Sequence, residues 1–145
     1  LRDGRVIVIG GYTGELDRER WFGPLGSAEA WDPSTGAFVP AGSMGVVRVG
    51  HRAHRLTDGR VLVVGGSDAV ASVADHTSLT SSELWDPATN TFSPGPAMAD
   101  GRRGFTLTPL PDGRVLVIGG FERTEAYDVV EGLATAEVLE GRVGP

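Results

Sequence analysis

Histidine is the side chain of this sequence best suited to hold a metal ion, and it occurs three times, at His51, His54 and His76. Cys is absent, which removes thiolate ligands, disulfides and cysteine nucleophiles from consideration. A metal site needs several ligands that the fold brings together, usually at recognisable spacings, and these three histidines are scattered. The sequence therefore predicts no metal site and no cofactor.

Asp75, His76 and Ser78 contain the three residue types of a hydrolase triad. A triad is recognised by its geometry, and three residues crowded into one polar loop do not provide that geometry. Gly65-Gly66 is not a phosphate loop, because no helix is predicted after it and Lys is absent from the chain. We predict no catalytic residue among these positions.

Arg48 and Arg102 are the leading candidates for ligand binding, because they occupy the same position in two similar stretches of the sequence. A guanidinium group donates a fixed fork of hydrogen bonds that suits carboxylates and other anions. The alternative is a structural role, in which each Arg bonds backbone carbonyls of the neighbouring repeat. Trp21, followed by Phe22, is the third candidate: it either stacks on a sugar or packs its loop against the domain.

The elements that must position these residues recur along the chain. The segment Asp3-Gly-Arg-Val-Ile-Val-Ile-Gly-Gly11 returns from Asp58 and again from Asp112, with seven of nine positions identical in all three copies. A second block, Glu29-Ala-Trp-Asp-Pro33, returns from Glu83 at the same spacing. The copies are spaced 54 or 55 residues apart, and a nearly fixed period of this length indicates a repeat architecture.

Each repeat predicts four short strands, labelled A to D. Strand A is expected over 46–56 and 104–110, and Asp-Gly forms the hairpin turn that follows it. Val61 to Val64 is an apolar run, as in a strand covered on both faces. The Gly-Gly pair removes side chains where another backbone comes close. Strand C ends near Trp85, and Asn90 takes the left-handed turn position before strand D.

These motifs resemble the Kelch repeat, and their amino-acid sequences are most similar to bacterial Kelch repeats related to the galactose oxidase propeller. The resemblance implies an all-β fold, a partial Kelch-type β-propeller of about 2.7 blades of four-stranded antiparallel sheet. Residues 1–44 supply strands B, C and D of one blade, 45–98 a full blade, and 99–145 strands A, B and C of another.

The resemblance also bears on the candidate residues. In peptide-binding Kelch domains, arginines matching Arg48 and Arg102 face the binding pocket. In galactose oxidase-like enzymes, a Tyr-His pair on an inner strand supplies two copper ligands, but here the pair is Gly50-His51. Since His51 is in phase with Phe105, we expect a buried histidine bonded to the backbone.

The function expected from the resemblance is a binding scaffold that takes a carbohydrate or protein ligand on its loop-rich face. The alternative is a part of a galactose oxidase-like copper oxidoreductase whose catalytic residues lie mostly outside this chain. The other expected partners are missing blades or, as a lesser alternative, further copies of the chain. The net charge of −6 argues against nucleic acid, and no apolar run is long enough to span a membrane. The resemblance favours an extracellular or periplasmic location.

Overall fold

A computed structural model describes residues 1–13, 23–68, 78–123 and 130–140 of the protein. Every regular element in these ranges is a β-strand, and none is a helix, which confirms the all-β prediction. The strands, in chain order, are β1 Val6–Ile9, β2 Tyr12–Thr13, β3 Gly23–Pro24, β4 Ser27–Asp32, β5 Ala37–Ser43, β6 Arg52–Arg55, β7 Val61–Val64, β8 Ser82–Asp86, β9 Thr91–Pro94, β10 Thr106–Pro109, β11 Val115–Ile118, β12 Phe121–Arg123, β13 Val130–Gly132 and β14 Ala136–Leu139.

Ten of these strands form three antiparallel sheets, each of which is a propeller blade or part of one. The first blade has the order β1-β4-β5, the second β6-β7-β8-β9 and the third β10-β11-β14. The remaining four strands make two short hairpins, β2 with β3 and β12 with β13, inside the loops that follow strand B. The sheets match a partial propeller with one complete blade between two incomplete ones.

The blades stack face to face, and the central strand β7 shows how. Val61 and Val63 pack into a cluster with Ala28 and Ala30 of the first blade. The other two residues of β7 point to the opposite side, where they join a cluster that includes Phe105 of the third blade. All four β7 residues are buried, as a strand covered on both faces requires.

Strand A is shorter than the sequence predicts. The expected ranges are 46–56 and 104–110, but β6 begins at Arg52 and β10 at Thr106. Gly50 and Gly104 both have a φ of +65°, a left-handed conformation that interrupts an extended strand. Before these glycines, the described residues form only isolated bridges, Val49 with Ser67 and Arg103 with Phe121.

The turn between strands A and B is built in the same way in each repeat. In the second blade, Leu56 N donates to Arg60 O at 2.8 Å, which closes a three-residue loop with Gly59 at a φ of +101°. The Asp58 carboxylate accepts the Arg60 backbone N–H at 3.0 Å and its Nε–H at 2.8 Å. The same bonds recur from Asp3 and Asp112, so each carboxylate holds the Arg of its own turn.

Candidate functional site

The linkers from strand D to the next strand A lie against the loops that follow strand B, and together they form what we call the loop-rich face. Val49 N donates to Ser67 O at 2.9 Å, and Ser67 N returns a bond to Val49 O at 2.8 Å. In the next repeat, Met98 N donates to Thr80 O at 2.8 Å. This face carries Arg48 and Arg102.

Arg48 is fully buried at the start of its blade, with no exposed surface. Its Nη1 donates to Gly65 O and Ser81 O, each at 3.0 Å, and its Nη2 donates to Glu83 Oε1 at 3.0 Å. The Glu83 carboxylate also accepts two backbone N–H groups of the linker, that of Gly45 at 2.7 Å and that of the next residue at 3.1 Å. We call this arrangement the Arg48 clamp.

Arg102 repeats the arrangement one blade later and is also fully buried. Its Nη1 donates to Gly119 O at 2.9 Å, and its Nη2 donates to Glu137 Oε1 at 2.6 Å. Burial raises the pKa of Glu137, but N–H donors from Ala99 and Asp100, together with Arg102, outweigh that effect and hold it below its ordinary value. We call this second arrangement the Arg102 clamp.

The clamps bear on both expected roles of these arginines. The structural alternative places the accepting carbonyls in the neighbouring repeat; Gly65, Ser81 and Gly119, which accept these bonds, lie after strand B of the blade that follows each linker. Neither guanidinium is presented to solvent, and each faces a carboxylate that balances its charge. Each clamp therefore ties a linker to strand C of its own blade, and ligand binding by these arginines stays a prediction.

The two clamps are not equivalent in their hydrogen bonding. Arg102 Nε donates to Asp100 O at 3.5 Å, and its Nη2 lies 3.4 Å from the Asp100 carboxylate. In the Arg48 clamp the matching position is Val46, which offers no carboxylate. Arg48 Nε is buried and has no hydrogen-bond partner among the described residues. Leaving a buried donor unsatisfied costs about 1–3 kcal/mol, so this N–H is a place where an acceptor would be stabilising.

A cleft of about 450 Å³ adjoins the Arg48 clamp. Arg48 and Glu83 contribute to its lining, Val46 and Phe92 supply apolar surface, and Ser93 adds a hydroxyl. Aromatic and apolar walls with a few placed polar groups are the usual composition of a ligand site. This cleft therefore has the composition of a site for a small group of a ligand.

His51 lies between the first two blades. Its Nδ1 is 3.2 Å from Arg48 O, as predicted for a histidine bonded to the backbone, but the residue is only partly buried, unlike the in-phase Phe105. Burial is the main cause that lowers the pKa of His51; the charges of Arg48 and Arg52 lower it further, and backbone hydrogen bonds at Arg48 and Ile9 oppose the shift. The folded chain therefore favours the neutral ring.

The residues around His51 do not fit a copper ion. One of its ring nitrogens is already engaged with a backbone carbonyl. In the described ranges, no group of three or more His, Asp or Glu side chains is placed to hold a metal. We therefore derive no chemistry through copper from this part of the chain.

One predicted binding residue and two residues of the rejected triad cannot be placed. Trp21, Asp75 and His76 lie outside the described residues. Ser78 is described and forms an isolated bridge with Ser67. In the described part of the chain, no helix is long and apolar enough to cross a membrane.

Glu83 and Glu137 are the residues that sequence reasoning missed as members of the site. Both are central acceptors of the clamps, yet as carboxylates on strand C they carry no recognised motif. The available signal was their phase: Glu29, Glu83 and Glu137 recur with the period of the repeat, beside strand positions that are otherwise apolar or small. A charge repeated on a buried strand requires a partner.

Comparisons with known proteins agree with this geometry. The sequence profile of the Kelch motif matches residues 50–99, which covers most of the complete blade. A comparison with curated proteins found no match. Among solved structures, the one titled "Structure of YjhT", a Kelch-type propeller, is similar with a TM-score of 0.65 and 16% sequence identity over 90% of this chain. The chain spans 48% of that protein's length.

Proposed function

We propose that this segment of a Kelch-repeat β-propeller is a binding scaffold that takes a protein or carbohydrate ligand on its loop-rich face. The Kelch motif and the propeller fold support a binding role in general. The observation that supports this particular face is the cleft beside the Arg48 clamp, together with the Nε–H of Arg48, which no described residue accepts. Repeated blades form a rigid frame, and ligands usually bind to the loops that such a frame carries.

The charges around the cleft favour a neutral polar group over a free anion. The Arg48 charge is already balanced by Glu83 at 3.0 Å, so a carboxylate entering the cleft would meet little net positive charge. A peptide carbonyl or a sugar hydroxyl supplies the acceptor that the Nε–H lacks. Phe92 offers an apolar surface for the adjoining part of such a ligand.

This proposal gives different roles to Arg48, Arg102 and Trp21. Arg48 is the residue that would bond the ligand through its Nε–H, which is fully buried in this structure, so binding requires a shift of the linker that covers it. Arg102 has a carbonyl and a carboxylate of Asp100 near its guanidinium, so its contribution is to hold the linker of the next blade in place. Trp21 would stack on a ligand from the loop after the first strand B, a role that stays a prediction. Among the described contacts, none favours the copper oxidoreductase alternative.

Exchanging Val46 and Asp100 tests the proposal with a matched pair of variants. The chain would first be screened against a glycan array and a displayed peptide library to obtain a binder. Val46→Asp gives the Arg48 clamp the composition of the Arg102 clamp and places a carboxylate at the cleft. Since Val46 is 39% exposed and the new carboxylate can accept from the Arg48 guanidinium, we expect a melting temperature no lower than that of the native chain and an affinity at least tenfold weaker. Asp100→Val is the control and should leave that affinity unchanged.

Two results would contradict the proposal. One is a binder whose affinity is insensitive to Val46→Asp, which would place the ligand elsewhere. The other is a screen in which neither glycans nor peptides bind a folded chain, which would remove the scaffold role on this face.

A further inference from the structure

The cleft beside the Arg48 clamp is rich in hydroxyl groups. Ser43, Ser81 and Ser93 all contribute to its lining. Ser43 and Ser93 are exposed and Ser81 is partly buried, so a ligand can reach these three hydroxyls without moving the linker. Ser82 lines the cleft as well, but it is buried and its hydroxyl donates to the Pro96 carbonyl oxygen. Three serine hydroxyls are therefore open to a ligand at one small surface.

The hydrogen-bonding capacity of these hydroxyls is only partly used. Ser81 Oγ accepts from Arg48 Nη2 at 3.2 Å, which leaves its own proton to donate, and nothing in the described part of the chain accepts that proton. Ser93 Oγ donates to Leu84 O at 3.5 Å, a long bond that leaves its oxygen free to accept. Ser43 Oγ bonds no described residue. Because a hydroxyl both donates and accepts, all three can bond a hydroxyl of a ligand.

The Glu83 carboxylate adds one more acceptor to this surface. Its Oε1 accepts from Val46 N and from Arg48 Nη2, whereas its Oε2 accepts only from Gly45 N. A carboxylate oxygen has two lone pairs, so Oε2 has room for a second donor. Ser81 Oγ and the Glu83 carboxylate both bond Arg48 Nη2, so they lie side by side. One ligand hydroxyl can thus donate to Glu83 and accept from Ser81.

The same cleft also has an apolar wall. Val46, Phe92 and Pro94 supply it, and the volume of about 450 Å³ lies within the range of small-ligand sites, about 300–1,000 Å³. A pyranose ring carries hydroxyls around its rim and presents apolar C–H groups on its faces. An aromatic ring such as that of Phe92 offers a flat surface to those C–H groups. The cleft therefore pairs hydroxyl partners with an apolar surface, as a sugar ring requires.

A peptide matches this lining less well than a sugar does. Extended peptides gain affinity mainly through main-chain hydrogen bonds. The N–H groups of Gly45 and Val46 are already committed to Glu83. Strand β9 ends beside the cleft at Pro94, which has no N–H to donate. The cleft thus offers side-chain hydroxyls where a peptide needs backbone partners.

We propose that this cleft is a subsite for one neutral pyranose ring of a carbohydrate, an inference that rests on the proposed function and names its ligand class. Ser81 and Glu83 bond one hydroxyl of the ring, Ser43 and Ser93 bond others, and Phe92 packs against a C–H face. An acidic sugar gains nothing here, because Glu83 already balances the Arg48 charge and the chain has a net charge of −6.

The methyl glycosides of glucose, galactose and mannose provide the probes. Each would be titrated into the full chain and followed by saturation-transfer difference NMR, and we expect saturable binding of at least one. Ser81→Ala and Ser43→Ala should each weaken that binding about threefold to tenfold, since each removes one hydrogen bond. Ser27→Ala is the matched control: Ser27 pairs with Ser43 across the sheet and is exposed, but it does not line the cleft. Methyl glucuronide should bind no more tightly than the methyl glycoside of glucose.

Each outcome of these titrations decides the question. If no methyl glycoside binds but a displayed peptide binds in a way that Val46→Asp weakens, the sugar subsite is overturned while the proposed function stands. Sugar binding that Ser81→Ala and Ser43→Ala leave unchanged, or tighter binding of the glucuronide, also overturns the subsite. If Ser81→Ala fails to fold, Ser43→Ala is decisive by itself, because Ser43 is exposed and its hydroxyl bonds no described residue.

Discussion

At the scale of single residues, the buried charges of the two clamps are the most consequential feature. An ion pair removed from water gains stability only when both partners and their hydrogen bonds are present. Arg102 meets that condition, because its guanidinium bonds Glu137 and two backbone carbonyls. The clamp thus depends on each of its members.

Arg102→Ala should lower the free energy of unfolding by about 3–5 kcal/mol, because it leaves Glu137 without its partner in a largely buried position. Arg114→Ala is the control, since Arg114 also pairs with a carboxylate, Asp112, but at the surface. That variant should lower the free energy of unfolding far less, because solvent screens an exposed ion pair. Urea unfolding of both variants measures the difference, and equal losses would show that burial does not set the strength of the clamp.

His51 should make the chain sensitive to acid. Because burial lowers the pKa of His51, the folded protein favours the neutral ring, and protonation favours the unfolded chain. Its contribution to stability is therefore present above about pH 6.5 and is lost as the pH falls through the folded pKa. The in-phase residue Phe105 suggests the variant His51→Phe, which does not titrate.

Melting temperatures at pH 7.5 and pH 5.5 test this expectation. The native chain should lose more stability over that interval than His51→Phe does. His54→Thr serves as a comparison, because burial also lowers the pKa of His54, which is more exposed to solvent. An identical drop in the native chain and in His51→Phe would show that His51 carries no pH dependence.

At the scale of elements, the Gly-Gly pair that ends strand B sets how closely successive segments approach. A Cβ built on Gly66, whose φ is +90°, would lie 2.5 Å from Val49 O and 2.9 Å from His51 N. Both contacts are with backbone, which cannot move aside without displacing the linker. The pair therefore permits the bridge between Val49 and Ser67.

Gly66→Ala should destabilise the chain strongly, by about 3 kcal/mol or more, since it adds a backbone clash to an unfavourable φ. Gly11→Ala is the matched control. Gly11 also has a positive φ, of +126°, but a Cβ there would meet no atom of the described residues within 4 Å. Gly11→Ala should therefore lower the free energy of unfolding only by the conformational strain of its backbone, about 1–2 kcal/mol. Thermal unfolding of the two variants compares their losses of stability. A loss for Gly11→Ala as large as that for Gly66→Ala would contradict this expectation.

The elements that could be predicted from the sequence are those whose local chemistry repeats. The apolar run of β7, the Asp58-Gly59 turn and the left-handed Asn90, with a φ of +56°, all follow from residue types acting within a few positions. The hairpins β2–β3 and β12–β13 lie in loops whose sequences do not recur between repeats, so no periodicity indicated them. Where one repeat ends and the next begins along the chain stays a prediction.

The site was harder to predict than the fold, because its contacts join distant positions. Arg48 and Glu83 are 35 residues apart, and only the stacking of strands shows that one donates to the other. Recurrence identified Arg48 and Arg102 as a pair, but it did not distinguish a ligand contact from a buried clamp. The missing information was burial, which depends on the whole sheet.

At the scale of the whole molecule, the two incomplete blades leave apolar faces exposed. On the first blade these include Val6 and Val8, each about half exposed. On the third blade they include Ile118 and Val138, each 45% exposed. In the complete blade, by contrast, every residue of the central strand is buried. Contiguous apolar faces and open strand edges promote association.

The isolated chain should therefore self-associate or aggregate as its concentration rises. Sedimentation velocity over a wide concentration range should show species larger than the monomer, and Val8→Lys combined with Val138→Lys should shift the distribution toward monomer by placing a charge on each open face. Val8 and Val138 are suitable because both side chains are about half exposed and neither belongs to a clamp. A native chain that remains monomeric at every concentration and unfolds in one cooperative transition would contradict this, because it would mean that these faces are stable in water without further blades.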